Sequence, residues 1–214
     1  MTWLPENIDT VGSLALAHSY LAGLPLLFGL LLALPLGWAA HRWERVRPIV
    51  VVGTGLLYTI PSLALFVLMP LVLGTKILAP ENVLVAMTIY TVALLVRTVA
   101  DGLDSVPDNV AAAATAMGYG QVARTLRIDL PLAVPVIAAG LRVAAVSNVS
   151  IVSIASLIGV AQLGNLLTDG YGRAFPEVLW VGILACVLLA LLFDVVIVVL
   201  ARVLTPWTRA GRPA

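Results

Sequence analysis

Charge is what this 214-residue chain has least of: only 11% of its residues are Asp, Glu, Lys or Arg, against roughly a quarter in soluble domains. Hydrophobic residues make up 61% and the mean hydropathy is +1.08. Such a balance excludes a soluble globular domain and describes a polytopic membrane protein. One bilayer crossing takes about 20 apolar residues, so the length suits roughly five or six helices with short loops. No room is left for a separate soluble catalytic domain. Cysteine is nearly absent too, and the single Cys186 lies within an apolar run, which excludes a disulfide framework within the chain and a cysteine-based metal cluster. The two histidines, His18 and His41, are too far apart in sequence to suggest a metal pair and read as interface residues. There is no Ser-His-Asp or paired-carboxylate arrangement, and no Gly-x4-Gly-Lys-Ser/Thr phosphate loop.

Residues 1–13 contain Glu6 and Asp9 but no basic residue, so the cationic start of a cleavable signal peptide is missing. The first apolar run, 14–40, is also too long for a signal sequence and reads as a membrane helix bent at Pro25 and Pro35. A second run, 49–74, is interrupted by Thr-Ile-Pro-Ser at 59–62, where Pro61 removes a backbone donor and should kink the helix. Further spans follow at 83–100, 134–158 and 178–200, the fourth carrying Arg142 and Asn148. Arg42, Arg45, Arg47, Arg124, Arg127, Arg202, Arg209 and Arg212 then fall on one side of the membrane, and Lys76 and Arg173 on the other. The positive-inside rule makes the first side cytoplasmic, which predicts five helices with the N-terminus out and the C-terminus in. The predicted organisation is an outer N-terminal segment 1–13, a membrane domain 14–204 and a cytoplasmic tail 205–214.

The stretch 105–131 is the one long internal segment unsuited to lipid. Ser105 or Asp108 can cap a helix there, and Pro107 suits its first turn. The alanine-rich residues 110–117 favour helix, and Gly118 and Gly120 can end it by taking the left-handed conformation. A second short helix from Gln121 should stop before Pro131. On the first helix Val110, Ala114 and Met117 share a face; on the second, Val122 and Leu126 lie opposite Arg124. The pair could pack on the membrane body with one face and meet a soluble partner with the other, or simply connect two spans.

Spacing adds a further indication. Ala113, Ala114, Gly118, Ile128, Leu130 and Pro131 stand where a known signature has Ala-Ala, then Gly after three residues, then Ile-x-Leu-Pro after nine more. The segment thus resembles the cytoplasmic coupling loop of binding-protein-dependent ABC importer permeases, with Ala112 where the signature has glutamate. The stretches YTIPSLALFVLMP, RTVADGLDSVP, LPLAVPVIAAGLR and LIGVAQLGNLL are similar to the branch that imports glycine betaine, choline, carnitine or proline. In the last of these, Ala161 and Gln162 replace the paired glycines often found in that family. The resemblance implies an all-α, five-helix permease of the type I class that forms a homo- or heterodimer in a bacterial cell membrane. It also implies ATPase subunits bound at the coupling loop, 101–131, and an extracytoplasmic substrate-binding protein. ATP and magnesium would be used by the ATPase, with no cofactor in this chain and no nucleic acid as partner. Expected coupling residues are those six together with Met117, Gly120 and Arg124.

Other polar residues suggest a pathway. Thr59, Pro61 and Ser62 interrupt the second span, and Ser147, Asn148, Ser150, Ser153 and Ser156 make the fourth unusually polar. Gly140, Ala144 and Ala145 give that span a small-sided face suited to subunit contact. Arg142, roughly 12 Å into it, is read as a structural anchor or a pathway charge, and Asp194 as its partner or that of Arg202. Trp38, Tyr58 and Tyr90 could attract a quaternary ammonium, though their spacing makes no cage and such aromatics usually anchor helix ends. Alternatives are an amino-acid importer permease of the methionine type, a stand-alone ion-coupled carrier using Asp194 and Arg142, and an intramembrane enzyme.

Overall fold

Residues 3–207 are described by a computed structural model, so the expectations for Arg209 and Arg212 lie outside the described residues. Every regular element among the described residues is helical. A short α1 (Trp3–Glu6) leads into α2 (Ile8–Arg42), followed by α3 (Arg47–Tyr58), α4 (Ser62–Leu73) and α5 (Pro80–Asp104). Then come α6 (Asp108–Ala116), α7 (Gln121–Arg124), a π-helical turn (Thr125–Asp129) and α8 (Leu130–Val152). A 3₁₀ turn (Ser153–Ile158), α9 (Gly164–Gly172) and α10 (Pro176–Leu204) complete the chain. Four runs, α2, α5, Gln121–Ile158 and α10, are long and apolar enough to cross a membrane, and the bent pair α3 and α4 makes a fifth if it counts as one span.

The first span is longer than hydropathy indicates. At 1.5 Å per residue the 35 residues of α2 reach about 52 Å, well beyond a hydrocarbon core of about 30 Å. The helix passes through Pro25 and Pro35 without a break and takes up much of segment 1–13. The Trp3 backbone N–H donates to Glu177 Oε1 at 3.1 Å, tying the start of the chain to the start of α10.

Pro61 does more than kink the second span. The helices α3 and α4 meet at 101°, with Pro61 in an extended conformation between them. Carbonyls released by such a break need donors when water is scarce. The Tyr90 hydroxyl supplies one to the Ile60 carbonyl, and the Thr59 hydroxyl donates to Leu56 O at 2.7 Å. Tyr58 packs edge-on against Tyr90 with ring centroids 5.5 Å apart, so these two aromatics prop the break.

Small residues hold the bundle together internally. A Cβ at Gly37 of α2 would lie 2.6 Å from Val99 of α5, and one at Gly140 of α8 would strike the Thr98 side chain. Ala144 and Ala145 are completely buried in the same interior. The small face of α8 expected to meet a second subunit is therefore spent on packing against this chain's own helices. Without a hydrophobic force between helices in lipid, such close approach is how dispersion contacts accumulate. Most of α10 faces outward, with Leu184, Leu188 and Leu192 each at least half exposed, as suits a helix against lipid.

Candidate functional site

The segment after α5 forms an angular projection. Pro107 sits at the N-cap of α6, and no side chain caps the helix. Ser105, expected as a cap, instead donates its hydroxyl to Gly102 O at 2.6 Å, closing the end of α5. Asp108 lies in the first turn, where its charge favours the helix dipole. At the other end, Gly118 has φ +86°, the Tyr119 N–H donates to Ala114 O at 3.2 Å and the Gly118 N–H to Thr115 O at 3.0 Å. These paired bonds are a Schellman cap, which needs a left-handed residue at this position. Gly120 does not share that role: its φ is −68° and it serves as the N-cap of α7.

The second short helix does not stop before Pro131. It continues through the π turn into α8, with the Leu130 N–H donating to Thr125 O. Proline inside a helix clashes with the carbonyl four residues back and leaves it without a donor. Widening the preceding turn into a π register relieves the conflict and keeps the rod continuous. The projection is thereby joined to a membrane span without a loop between them.

The residues of the signature divide by exposure. Ala114 is buried, Ile128, Leu130 and Pro131 are half-buried, and Ala112, Ala113, Met117 and Gly118 are exposed. Val122 and Leu126, which share a face opposite Arg124, are 61% and 60% exposed. Arg124 turns inward, its Nε donating to Asp129 Oδ2 at 3.1 Å. Asp129 is buried and its Oδ1 has no partner among the described residues. Sequence reasoning missed this pair, although the five-residue spacing across the π turn is compatible with it.

An ionic cluster braces the same end of the bundle. Arg47 of α3 pairs with Asp104 and, at 2.9 Å, with Asp101 of α5, while His41 of α2 meets Asp104 at 2.5 Å. Nearby, Arg42 Nε donates to Gln121 Oε1 at 3.2 Å and Trp38 Nε1 to Thr125 Oγ1 at 3.3 Å. His41 is thus part of this brace. Each exposed pair contributes little alone, about 0 to 1 kcal/mol, but the set fixes the ends of α2, α3 and α5 relative to α7.

On α8, the polar residues separate by helical phase. Asn148 is fully buried, its amide donating to Thr91 Oγ1 at 2.9 Å and to Ala22 O at 3.3 Å, so it faces α5 and α2 and does not share an open face. Ser147 is half-buried and Ser150 exposed, on the same side as Arg142 and Val146. Ser153 is half-buried and donates to Ser150 O at 2.6 Å. Arg142 makes two bonds to Asp194 of α10, at 2.5 and 3.0 Å, and the pair borders an open cavity of about 460 Å³ with Ser147 and Val146. At the α3–α4 break, Thr59 and Pro61 are exposed and Ser62 half-buried.

His18 is not an interface residue. It is fully buried, with Nδ1 2.9 Å from Gln162 Oε1 and Nε2 3.0 Å from Val149 O. Gln162 in turn donates to Ser153 O at 3.1 Å and accepts from the Gly164 N–H at 2.5 Å, joining α2, α8 and α9. A polar residue within each of two apolar stretches was the available sequence signal, but nothing local paired them. Among the described residues, no group of three or more His, Cys, Asp or Glu side chains is arranged to hold a metal ion.

The family model for the binding-protein-dependent transport system inner membrane component matches residues 26–210. The chain belongs to this family. The permease is 34% identical to the osmoprotectant import permease protein OsmW of Salmonella typhimurium, over 95% of this chain and 96% of that protein. It is 28% identical to the glycine betaine/carnitine/choline transport system permease protein OpuCB of Bacillus subtilis, with 96% and 94% covered. Its fold is similar to that of a chain in an inward-facing structure of the MetNI methionine ABC transporter. That match has a TM-score of 0.84 at 18% identity and covers 94% of the permease and 98% of that chain. That likeness concerns the fold alone.

Proposed function

We propose that this permease is the membrane-spanning subunit of an ATP-driven importer of quaternary-amine osmoprotectants such as glycine betaine, choline or carnitine, or of proline. What carries the reading is near-full-length similarity to permeases named for those solutes. The methionine transporter resembles it in fold at 18% identity, which bears on architecture and leaves the solute open. The permease sits in the bacterial cell membrane with its N-terminus out and C-terminus in, as a homo- or heterodimer. An extracytoplasmic binding protein delivers solute, and separate ATPase subunits bind and hydrolyse magnesium ATP on the cytoplasmic side.

In this reading the ATPases receive α6 and its cap, with Ala113, Met117 and Gly118 at the contact. Their closure moves α6, and the continuous rod of α7, π turn and α8 carries the displacement into the membrane without a hinge. The face of α8 that bears Ser147 and Ser150 beside the Arg142–Asp194 pair borders the solute pathway, together with the broken α3–α4 span. The ion pair keeps both charges neutralised in a place where an unpaired charge would be costly.

Reconstitution in proteoliposomes with the ATPase and binding protein tests this directly. Labelled glycine betaine should enter only with ATP, and unlabelled choline or carnitine should compete while methionine does not. Uptake by this chain alone on an ion gradient would overturn the assignment, and competition by methionine without competition by betaine would move it to an amino-acid importer.

A further inference from the structure

Two cavities of opposite character meet at Trp38. One, of about 330 Å³, is bordered by Leu34, Val99, Leu103, Val122, Leu126 and Leu130, in a crevice between α2, α5 and the start of the α7–α8 rod. The other, of about 300 Å³, is polar and is bordered by His41, Arg42, Gln121 and Arg124. Trp38 and Thr125 line both, and their hydrogen bond at 3.3 Å forms the seam. The apolar cavity lies toward the middle of α2 and the polar one at its basic end, so the order along the helix is apolar wall, indole, then arginines.

The charge of the polar cavity is positive and partly unspent. Arg42 forms no ion pair among the described residues; its Nε is engaged by the neutral Gln121 side chain. Arg124 is balanced by Asp129 and His41 is engaged with Asp104, so Arg42 supplies the surplus cation. An indole at the boundary between an apolar and a polar zone marks the level of lipid headgroups. Val122 and Leu126, at 61% and 60% exposure, are left as an uncovered apolar wall at that level.

We infer that these cavities form one binding site for an anionic phospholipid. The phosphate and its anionic headgroup lie against Arg42 and Arg124, and an acyl chain runs along Trp38 into the crevice walled by Val122 and Leu126. Charge complementarity selects the anionic headgroup, and the adjoining apolar cavity selects a lipid over a free anion. Because the site is walled by α2 on one side and by α7 on the other, a bound lipid fills the gap between the first span and the coupling rod and holds them together. The seat of the coupling element is then partly made of lipid.

The test uses the full-length permease in nanodiscs that contain phosphatidylcholine with a variable fraction of chain-brominated phosphatidylglycerol or brominated phosphatidylcholine. Bromine quenches nearby indoles, and the Trp38 contribution is obtained by difference from Trp38→Phe, since the chain has five tryptophans. Half-maximal quenching of Trp38 should need about fivefold less phosphatidylglycerol than phosphatidylcholine, the effect of one basic residue near an anionic surface. Arg42→Gln should remove most of that preference, and Leu126→Trp, which fills the crevice, should reduce quenching by both lipids. Equal quenching by the two lipids in the wild-type protein would overturn the proposal, and this result needs no charge or crevice variant to fold. Loss of the preference on adding millimolar inorganic phosphate would also overturn it, because the site would then bind an anion alone.

Discussion

Replacing Gly118 tests the link between backbone geometry and coupling most directly. Its φ of +86° is the only positive value in the segment 105–131 among the described residues, and no atom lies within 4 Å of where a Cβ would stand. A side chain there meets open space, so its whole effect is backbone strain. For an L-residue in the left-handed region that strain is about 1 to 2 kcal/mol, larger for a β-branched residue and smaller for asparagine. The alternative is to leave that region and lose the two cap bonds from Tyr119 and Gly118, at about 0.5 to 1.5 kcal/mol each. Because the chain takes the cheaper of the two routes, the equilibrium between the correct turn and its competitors shifts by about five- to thirtyfold. ATP-driven betaine uptake should therefore fall in the order Gly118→Asn, Gly118→Ala, Gly118→Val, with amounts of inserted protein and thermal midpoints close to wild type. Gly120→Ala should be the mildest change, because a φ of −68° accepts any residue. Equal uptake in Gly118→Val and wild type, or equal losses at the two glycines, would refute the argument from the cap.

Other substitutions probe the interior and the pathway. Tyr90→Phe removes the donor to the Ile60 carbonyl at the α3–α4 break and should lower stability by about 1 to 3 kcal/mol, read as a lower thermal midpoint in detergent. Gln162→Gly leaves His18 Nδ1 and the Gly164 N–H without their partner, and a cost of similar size should appear in the same measurement. Arg142→Gln and Asp194→Asn should each impair uptake, and the exchange Arg142→Asp with Asp194→Arg should recover part of it. A double exchange no better than the worse single change would argue that the pair acts as two independent charges. Pro131→Ala allows the π turn to revert to α register and rotate α7 relative to α8, so coupling should weaken while insertion is preserved; unchanged uptake would count against the rod.

Much of the architecture was legible because apolar content is a local sum. An apolar run such as 178–200 declares itself whatever surrounds it, and the family resemblance carried by the spacing from Ala113 to Pro131 is equally local. Side-chain facing is different, because it depends on neighbours. Ser147 and Asn148 are adjacent in sequence, yet one borders an open cavity while the other is sealed against Thr91 and Ala22. Gly118 and Gly120 look alike in sequence, and only backbone conformation separates the left-handed cap from an ordinary N-cap.

By itself, then, the amino-acid sequence determined a helical membrane protein with about five spans, interrupted by one polar segment that carries the spacing from Ala113 to Pro131. Tertiary structure decided the contacts between residues far apart in the chain: His18 with Gln162, Arg142 with Asp194, Arg47 with Asp101 and Asp104. It also decided that Pro131 lies within a continuous rod, because the π turn resolves a steric conflict that local propensity reads as a stop. The physical reason is the same throughout. Partition into lipid is additive over neighbouring residues, whereas pairing a buried polar group depends on which distant helix packing brings within about 3 Å.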